Sequence, residues 1–444
     1  MSDQFADRDR RHLLHPLHSA ASAADPHVWV RGEGAYLIDS EGKRFLDGAS
    51  GLWNVIAGHG RTELLEAARI QGEQLAFASS FSGNTNPRSI ELAEKLAAIC
   101  YSNINKFFFT AGGGEATESS IKTARYYWKL KGQPTKTKCI SLVWGYHGLT
   151  LAAMSATGIE SYWNAFEPRV PGFIHIPSHY PYRYECPSGD DPGLAAANEL
   201  EAAILQEGPD NVAMFIVEPV TGAGGIIVPP DNYFQRIREI CDKYDVLFVA
   251  DEIITGFGRT GKMFGLEHWG VVPDIVQFAK AITSGYFPLG GIGVSDEIAS
   301  TIEAAEGPYL HAYTYNGHPI GCAVALANIK IIEEEGFVEQ AAEKGSHLLA
   351  TLNKVFAQHP YVGNIRGKGM MCGVEFVEDP TTKEPFPTEK QIGNRIHAAT
   401  QQRGLFTRVR GDTFCLAPPI ITSFEELDWA VDTLRQSANE VLGL

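Results

Sequence analysis

Five consecutive apolar residues, Val246, Leu247, Phe248, Val249 and Ala250, run directly into an acid, Asp251. A run so short and so uniformly apolar suits a strand covered on both faces, as in a parallel sheet sandwiched between helices. Similar runs recur near residues 106, 139, 212 and 275, alternating with helical segments. The expected fold class is therefore α/β, with a mostly parallel sheet. Open sheets of this kind bind ligands at the carboxyl ends of their strands, where Asp251 stands. A carboxylate there can meet a buried cation such as a pyridinium nitrogen, cap the following turn, or pair with Arg259 of GFGRTG.

The second constraint is Lys280, 29 positions further on, in PDIVQFAKAITSGYFPLGG. It ends an apolar strand-like stretch and precedes Gly285, Gly290 and Gly291, so its ammonium is expected in a glycine-lined, partly dry site. Loss of water disfavours the charged form and leaves a nucleophilic amine able to condense with a carbonyl. A lysine that ends a strand has no such role by itself. Paired with Asp251, it supplies both ends of a pyridoxal phosphate site.

A phosphate cradle is expected where KFFFT, Lys106 to Thr110, gives way to Ala111, Gly112, Gly113 and Gly114. Glu115 then opens an amphipathic helix with Ile121, Ala124, Tyr127 and Trp128 at helical spacing. Backbone N–H groups at such a junction close on an anion at the positive helix end. Tyr146, leaving the strand in SLVWGYHGLT, can stack on one face of a flat ring, and Ile253 can cover the other.

In this order the phosphate glycines, Tyr146-His147-Gly148, Glu218-Pro219, Asp251-Glu252 with GFGRTG, and Lys280 resemble the class III, fold-type-I pyridoxal phosphate aminotransferases. They are most similar to the omega-transaminase or amine:pyruvate branch, and the resemblance runs from about His12 to the end of the sequence. It implies covalent attachment of pyridoxal 5'-phosphate at Lys280, a ring-nitrogen contact from Asp251 and ring stacking by Tyr146. Gly113 and Gly114 are implied at the phosphate, with His147, Glu218 and Ile253 around the cofactor. It also implies a homodimer, possible as half of a tetramer, in which Thr314 of HAYTYNGHP reaches the neighbouring subunit's cofactor. Many relatives carry serine where this sequence has Gly114, so one hydroxyl donor to the phosphate is missing.

For substrates, the resemblance points to an amine or ω-amino acid donor and a keto acid acceptor, pyruvate before 2-oxoglutarate. Relatives acting on ornithine or 4-aminobutyrate read G-E-G-G after the Glu-Pro pair, their glutamate pairing with a mobile arginine. Here the segment is Gly222, Ala223, Gly224, Gly225. Arg408, in GLFTRVRGD, takes the arginine's position and is left free to clamp a carboxylate bidentately. Arg410 competes for that role if the segment is extended. Trp53 and Phe81 match pocket-lining aromatics, Ala223 leaves room beside them, and Leu17 replaces a common aromatic. A two-stage cycle through pyridoxamine phosphate, with ping-pong kinetics, is expected.

Charge and composition narrow the alternatives. A formal net charge of -16 argues against nucleic acid or an anionic membrane surface as partner. Seven scattered cysteines without CxxC spacing suit a reducing compartment, and cytoplasm is the expected location. His12, His15 and His18 have helix-like spacing, but Pro16 interrupts them, and no metal is expected. No stretch reaches membrane-spanning length. A nicotinamide dehydrogenase is disfavoured because Gly222 to Gly225 run into Ile226, Ile227, Val228 and Pro229 rather than a helix. A non-catalytic scaffold has no use for Lys280 and Asp251 in register. A class III decarboxylase, racemase or aminomutase would share every cofactor residue.

The expected division is residues 1–55 packing with a smaller domain, a large cofactor domain at 56–325, and a smaller α+β domain at 326–444 that the two chain ends form together.

Overall fold

The computed structural model describes residues 2–17 and 27–444. Of the histidine cluster, His18 lies outside the described residues.

A seven-stranded sheet organises the large domain, in the order Ile104–Thr110, Gly290–Ser295, Ile275–Phe278, Leu247–Asp251, Val212–Val217, Lys138–Leu142, Phe173–Ile176. All run parallel except Gly290–Ser295, which is antiparallel to both neighbours. The central strands are buried along their whole length, as their uniform apolar sequences require.

Strand pleating divides each run between two cores. Phe215, Val217, Phe248, Ala250, Val276 and Phe278 face the side that carries helix Tyr233–Lys243. Met214, Ile216, Leu247, Val249 and Ile275 face helix Gly113–Leu130, through its Ala116, Ile121, Ala124 and Trp128. Asp251 shares parity with Leu247 and Val249, and Gln277 with Ile275. Strand alternation alone therefore sends both polar side chains to the side on which the glycine-started helix begins.

Two strands of this sheet escaped the sequence reading. Phe173–Ile176 is a four-residue edge strand, and Gly290–Ser295 looks like a loop because half of GGIGVS is glycine. A Cβ at Gly291 would stand 2.6 Å from the Phe278 ring, and one at Gly293 would stand 2.5 Å from Ile104. Gly290 and Gly291 thus let an antiparallel strand pass between tightly packed neighbours and do not line the lysine's site; Gly285 abuts Asn54 and Val55.

Helix starts follow local chemistry. Asp191 accepts from the Gly193 and Leu194 amides ahead of a helix with Pro192 in its first turn, and Ser423 with Glu426 forms a capping box. The helix expected from about Ala323 to Glu335 runs from Pro319 to Glu334 and packs on helices Thr62–Gln74 and Pro87–Ile99. The boundary drawn between residues 325 and 326 falls inside this helix.

Beyond it, Val362–Gly367, Cys372–Phe376, Thr413–Leu416 and Arg408–Arg410 form an antiparallel sheet. The meander Trp29–Glu33, Tyr36–Asp39, Arg44–Asp47 joins the late strand Leu405–Phe406, with Leu46 opposite Leu405. The early residues are thereby stitched to the late ones by backbone hydrogen bonds. Arg259 fastens the same region from below: fully buried, it donates to Pro418 O (2.6 Å) and Ser50 Oγ (2.9 Å) and makes no pair with Asp251. Burial draws its pKa down to about 10, against the pull of Asp47. Among the described residues no helix is long and apolar enough to cross a membrane.

Candidate active site

The carboxyl ends of these strands enclose a cavity of about 220 Å³ lined by Gly113, Gly114, Tyr146, His147, Gly148, Leu149, Glu218, Asp251, Ile253, Ile254 and Lys280. Eight residues singled out from sequence meet there, each delivered by a different local device.

Lys280 is not the last residue of its strand. The strand stops at Phe278, Ala279 is extended, and Lys280 opens a short 3-10 turn with φ 50°. A non-glycine residue in the left-handed region stores strain of about 1–3 kcal/mol, and such residues gather at active sites. Here the turn takes the lysine out of the strand's alternation and into the cavity. Burial draws its pKa down to about 8, aided by Arg408 and Arg259 and opposed by Asp251 and Glu218. The result is an amine with a far larger neutral fraction near neutral pH than an ordinary lysine has.

Asp251 is buried at the end of its strand, where Oδ2 accepts from His147 Nδ1 at 2.8 Å and Oδ1 from the Ile253 amide at 3.2 Å. Thr117, four residues into the helix from Gly113, fixes His147 in turn: its hydroxyl donates to His147 O at 2.7 Å and meets Gln277 Oε1 at 3.0 Å. Gln277 also donates to Ser120. Helix, histidine loop and strand are thus locked around one carboxylate. The sequence reading missed Thr117 and Gln277, although helical spacing from Gly113 and strand parity with Asp251 mark both. His147 Nε2 is buried with no partner among the described residues.

Glu218 accepts from the Tyr146 amide and the Gly222 amide, both at 2.9 Å, and so ties the tyrosine to the Gly222–Gly225 loop. Burial pushes its pKa up to about 7; His147 opposes that rise and Asp251 adds to it. Ile253 follows the end of the strand rather than extending it, and it packs against the helix start. A Cβ on Gly113 would lie 2.8 Å from Ile253 Cδ1, so only glycine keeps both the isoleucine and the exposed N–H groups in place.

The other candidates lie outside this lining in the single chain. Trp53 is buried at φ 64°, with its ring where a Cβ on Gly222 would be (2.3 Å), so it backs the loop that carries Ala223. Arg408, partly buried, acts through space on Lys280 and on the Tyr146 hydroxyl, and its guanidinium has no hydrogen bond or ion pair with the described residues. Phe81 is 44% exposed and shares a second concave surface with Tyr309, His311 and Asn316, flanking exposed Thr314. Leu17 is exposed at 64% and stands apart from the cavity lining.

The donor set fits pyridoxal phosphate on physical grounds. The free N–H groups of a helix opened by two glycines suit a phosphate, the buried carboxylate suits a protonated ring nitrogen, and the depressed lysine suits an aldehyde.

Comparison with known proteins agrees. The family model for class-III aminotransferases matches residues 19–437. The putrescine–pyruvate aminotransferase of Pseudomonas aeruginosa is 40% identical over 434 residues, covering 97% of this chain and 95% of that protein. The crystal structure of an (S)-enantioselective omega-transaminase from Thermomicrobium roseum has a TM-score of 0.97 at 48% identity, with 99% of both chains covered. The omega transaminase of Pseudomonas jessenii, solved in complex with PMP, has a TM-score of 0.95 at 38% identity, covering 99% of this chain and 98% of that one. This chain belongs to the class-III aminotransferases, enzymes of fold type I that depend on pyridoxal phosphate.

Proposed function

We propose that this aminotransferase moves an amino group from a primary amine or ω-amino acid to pyruvate. The observation that carries the reading is Arg408, a guanidinium near Lys280 with no acidic partner among the described residues, where Ala223 stands in place of a glutamate. An uncompensated planar fork suits a small α-carboxylate. Leu149, Ile253 and Ile254 add apolar wall for the donor's carbon chain. Similarity to a putrescine–pyruvate aminotransferase supports the same acceptor.

Bound in the cavity, pyridoxal phosphate supplies a carbonyl that takes up amines and a protonated ring that draws electrons from the adjacent carbon. With the cofactor bound, Asp251 would keep the proton on the ring nitrogen, itself held by the His147–Thr117–Gln277 chain. Lys280 in its neutral form would be the base placed to take a proton from the substrate carbon and return it one position away. Tyr146 and Ile253 line the cavity that would receive the ring.

The test is the absorption of the loaded enzyme as amines are added without acceptor and then with pyruvate or 2-oxoglutarate. Bleaching by an amine and recovery with pyruvate supports the reading, whereas recovery only with 2-oxoglutarate overturns the acceptor assignment. No bleaching by any amine in the panel overturns the donor class.

Two further results are expected at this site. Because Lys280 must be neutral to attack, the rate of cofactor loading into stripped protein should climb about tenfold per pH unit below pH 8 and level off above it. Stopped-flow absorbance across pH 6 to 10 measures this, and a plateau only near the ordinary lysine value of 10.5 would contradict it. Gly114→Ser should fit, since a Cβ there finds nothing nearer than Thr150 at 3.5 Å. The added hydroxyl at the helix start should tighten cofactor retention by about 1 kcal/mol, roughly fivefold, read by dialysis against buffer.

A cytoplasmic homodimer completes the proposal. Phe81 and Thr314 are absent from their own chain's cavity lining, and Phe77, Leu310 and Tyr315 nearby are exposed at 42%, 85% and 58%. An apolar face of that kind suits a second copy whose site these residues would finish. Sedimentation at twice the chain mass is expected.

A further inference from the structure

Across the Gly222–Gly225 loop from the lysine lies a second cavity, of about 360 Å³, whose walls include Trp144, Gly224, Arg183, Arg366, Glu375 and Arg410. That volume lies within the metabolite-binding range. Its charges are unevenly matched. Glu375 takes Arg183 at 2.6 Å, Arg366 at 3.1 Å and the Tyr180 hydroxyl, so its oxygens are already engaged. Arg366 also donates to Gly225 O at 2.6 Å. Asp412, also in the lining, accepts from the Gly393 amide at 2.8 Å and makes no ion pair with Arg410.

Arg410 is what remains. On the strand Arg408–Arg410 it shares a face with Arg408, two residues before it; Arg408 acts through space on Lys280, and Arg410 lines the second cavity. Its guanidinium lies 5.1 Å from the Trp144 ring centre and has neither a hydrogen bond nor an ion pair with the described residues. Burial draws its pKa below the ordinary arginine value. Its guanidinium nitrogens are reached by water, which a carboxylate can replace with two aligned acceptors. Three guanidinium groups face two carboxylates here, in a chain whose overall formal charge is -16. The cavity is a local positive island.

We infer that this cavity is a second anion site, separate from the Lys280 site, that takes a small carboxylate on Arg410, with the Trp144 ring flanking the guanidinium. A planar fork beside an aromatic face matches a carboxylate in two parallel hydrogen bonds. Gly224 lines this cavity and Glu218 lines the catalytic one, and the Gly222 amide donates to Glu218, so the loop joins the two. The inference does not depend on which amine or keto acid the enzyme uses.

The experiment is calorimetric titration of the cofactor-loaded enzyme with succinate, which cannot react. Wild type is compared with Arg410→Leu, Arg410→Lys and Arg408→Leu, with thermal melting to establish that each is folded. Two carboxylate sites are expected in wild type; Arg408→Leu keeps the one at Arg410, which is weakened at least tenfold in Arg410→Leu and intermediate in Arg410→Lys, which keeps charge without the fork. Equal binding by wild type and Arg410→Leu overturns the inference, as does loss of binding in Arg408→Leu alone or absence of binding in wild type. Should Arg410→Leu fail to fold, Arg410→Lys carries the comparison, and affinity equal to wild type overturns it. A series of ω-amino acids of increasing length then separates two sources of the carboxylate. A rise in KM with Arg410→Leu confined to one chain length marks a substrate's distal end, and unchanged KM values with succinate binding lost mark a free anion.

Discussion

Lys280→Ala should lower the half-reaction with an amine donor by at least about 10⁴-fold and abolish covalent retention of the cofactor. Two losses coincide in this variant. The attachment point disappears, and so does the base that shuttles the substrate's proton. The lysine suits both tasks because burial draws its pKa from 10.5 to about 8. At pH 8 that shift raises the neutral fraction by on the order of 10² over an ordinary lysine. Lys280→Arg should be as inactive as the alanine variant, since arginine keeps its proton throughout the accessible pH range. The measurement is single-turnover absorbance, with borohydride fixation and peptide mapping to locate the adduct. A cofactor fixed elsewhere in the alanine variant, or more than one hundredth of the wild-type rate, would remove Lys280 from its central place.

Asp251→Asn should cost about 10³-fold in turnover while the cofactor stays attached. The amide nearly preserves the shape, and its oxygen can still accept from His147 Nδ1, which donates at 2.8 Å in the parent. What it lacks is the negative charge that keeps a proton on the ring nitrogen, and without that proton the ring is a poor electron sink. Asparagine therefore isolates charge from packing. The enzyme should melt within a few degrees of the parent, retain its cofactor through dialysis and turn over slowly. Retention of a tenth of the activity would mean that another group supplies the proton.

Much of this site is legible in the sequence, because strand chemistry makes it so. An apolar run ending in an acid fixes both the burial and the position of Asp251, and glycines between strand and helix fix the cradle. Gly290–Ser295 was harder: glycine there reflects tight packing against Phe278 and Ile104, contacts with partners far away in sequence. The φ of 50° that re-aims Lys280 leaves no mark either, since lysine has no preference for that conformation. Thr117 and Gln277 were readable in principle, but each is ordinary alone and gains meaning only when helix and strand are brought together. Phe81 and Thr314 lie outside the Lys280 cavity of their own chain, Phe81 on a separate concave surface.

The pairing of Leu46 with Leu405 has a bearing on how the protein is made. These partners are separated by 359 residues, so the early strand emerges long before the strand that completes its sheet exists. At roughly 5–20 residues per second, synthesis leaves that edge open for about 20–70 seconds. During this interval the large domain can form, while the early meander waits with unpaired N–H and C=O groups and an apolar face. The wait invites the wrong partner, including the same segment of another nascent chain. Expression at lower temperature, or with a chaperone that shields early segments, should therefore raise the yield of folded enzyme more than any change to the active site would.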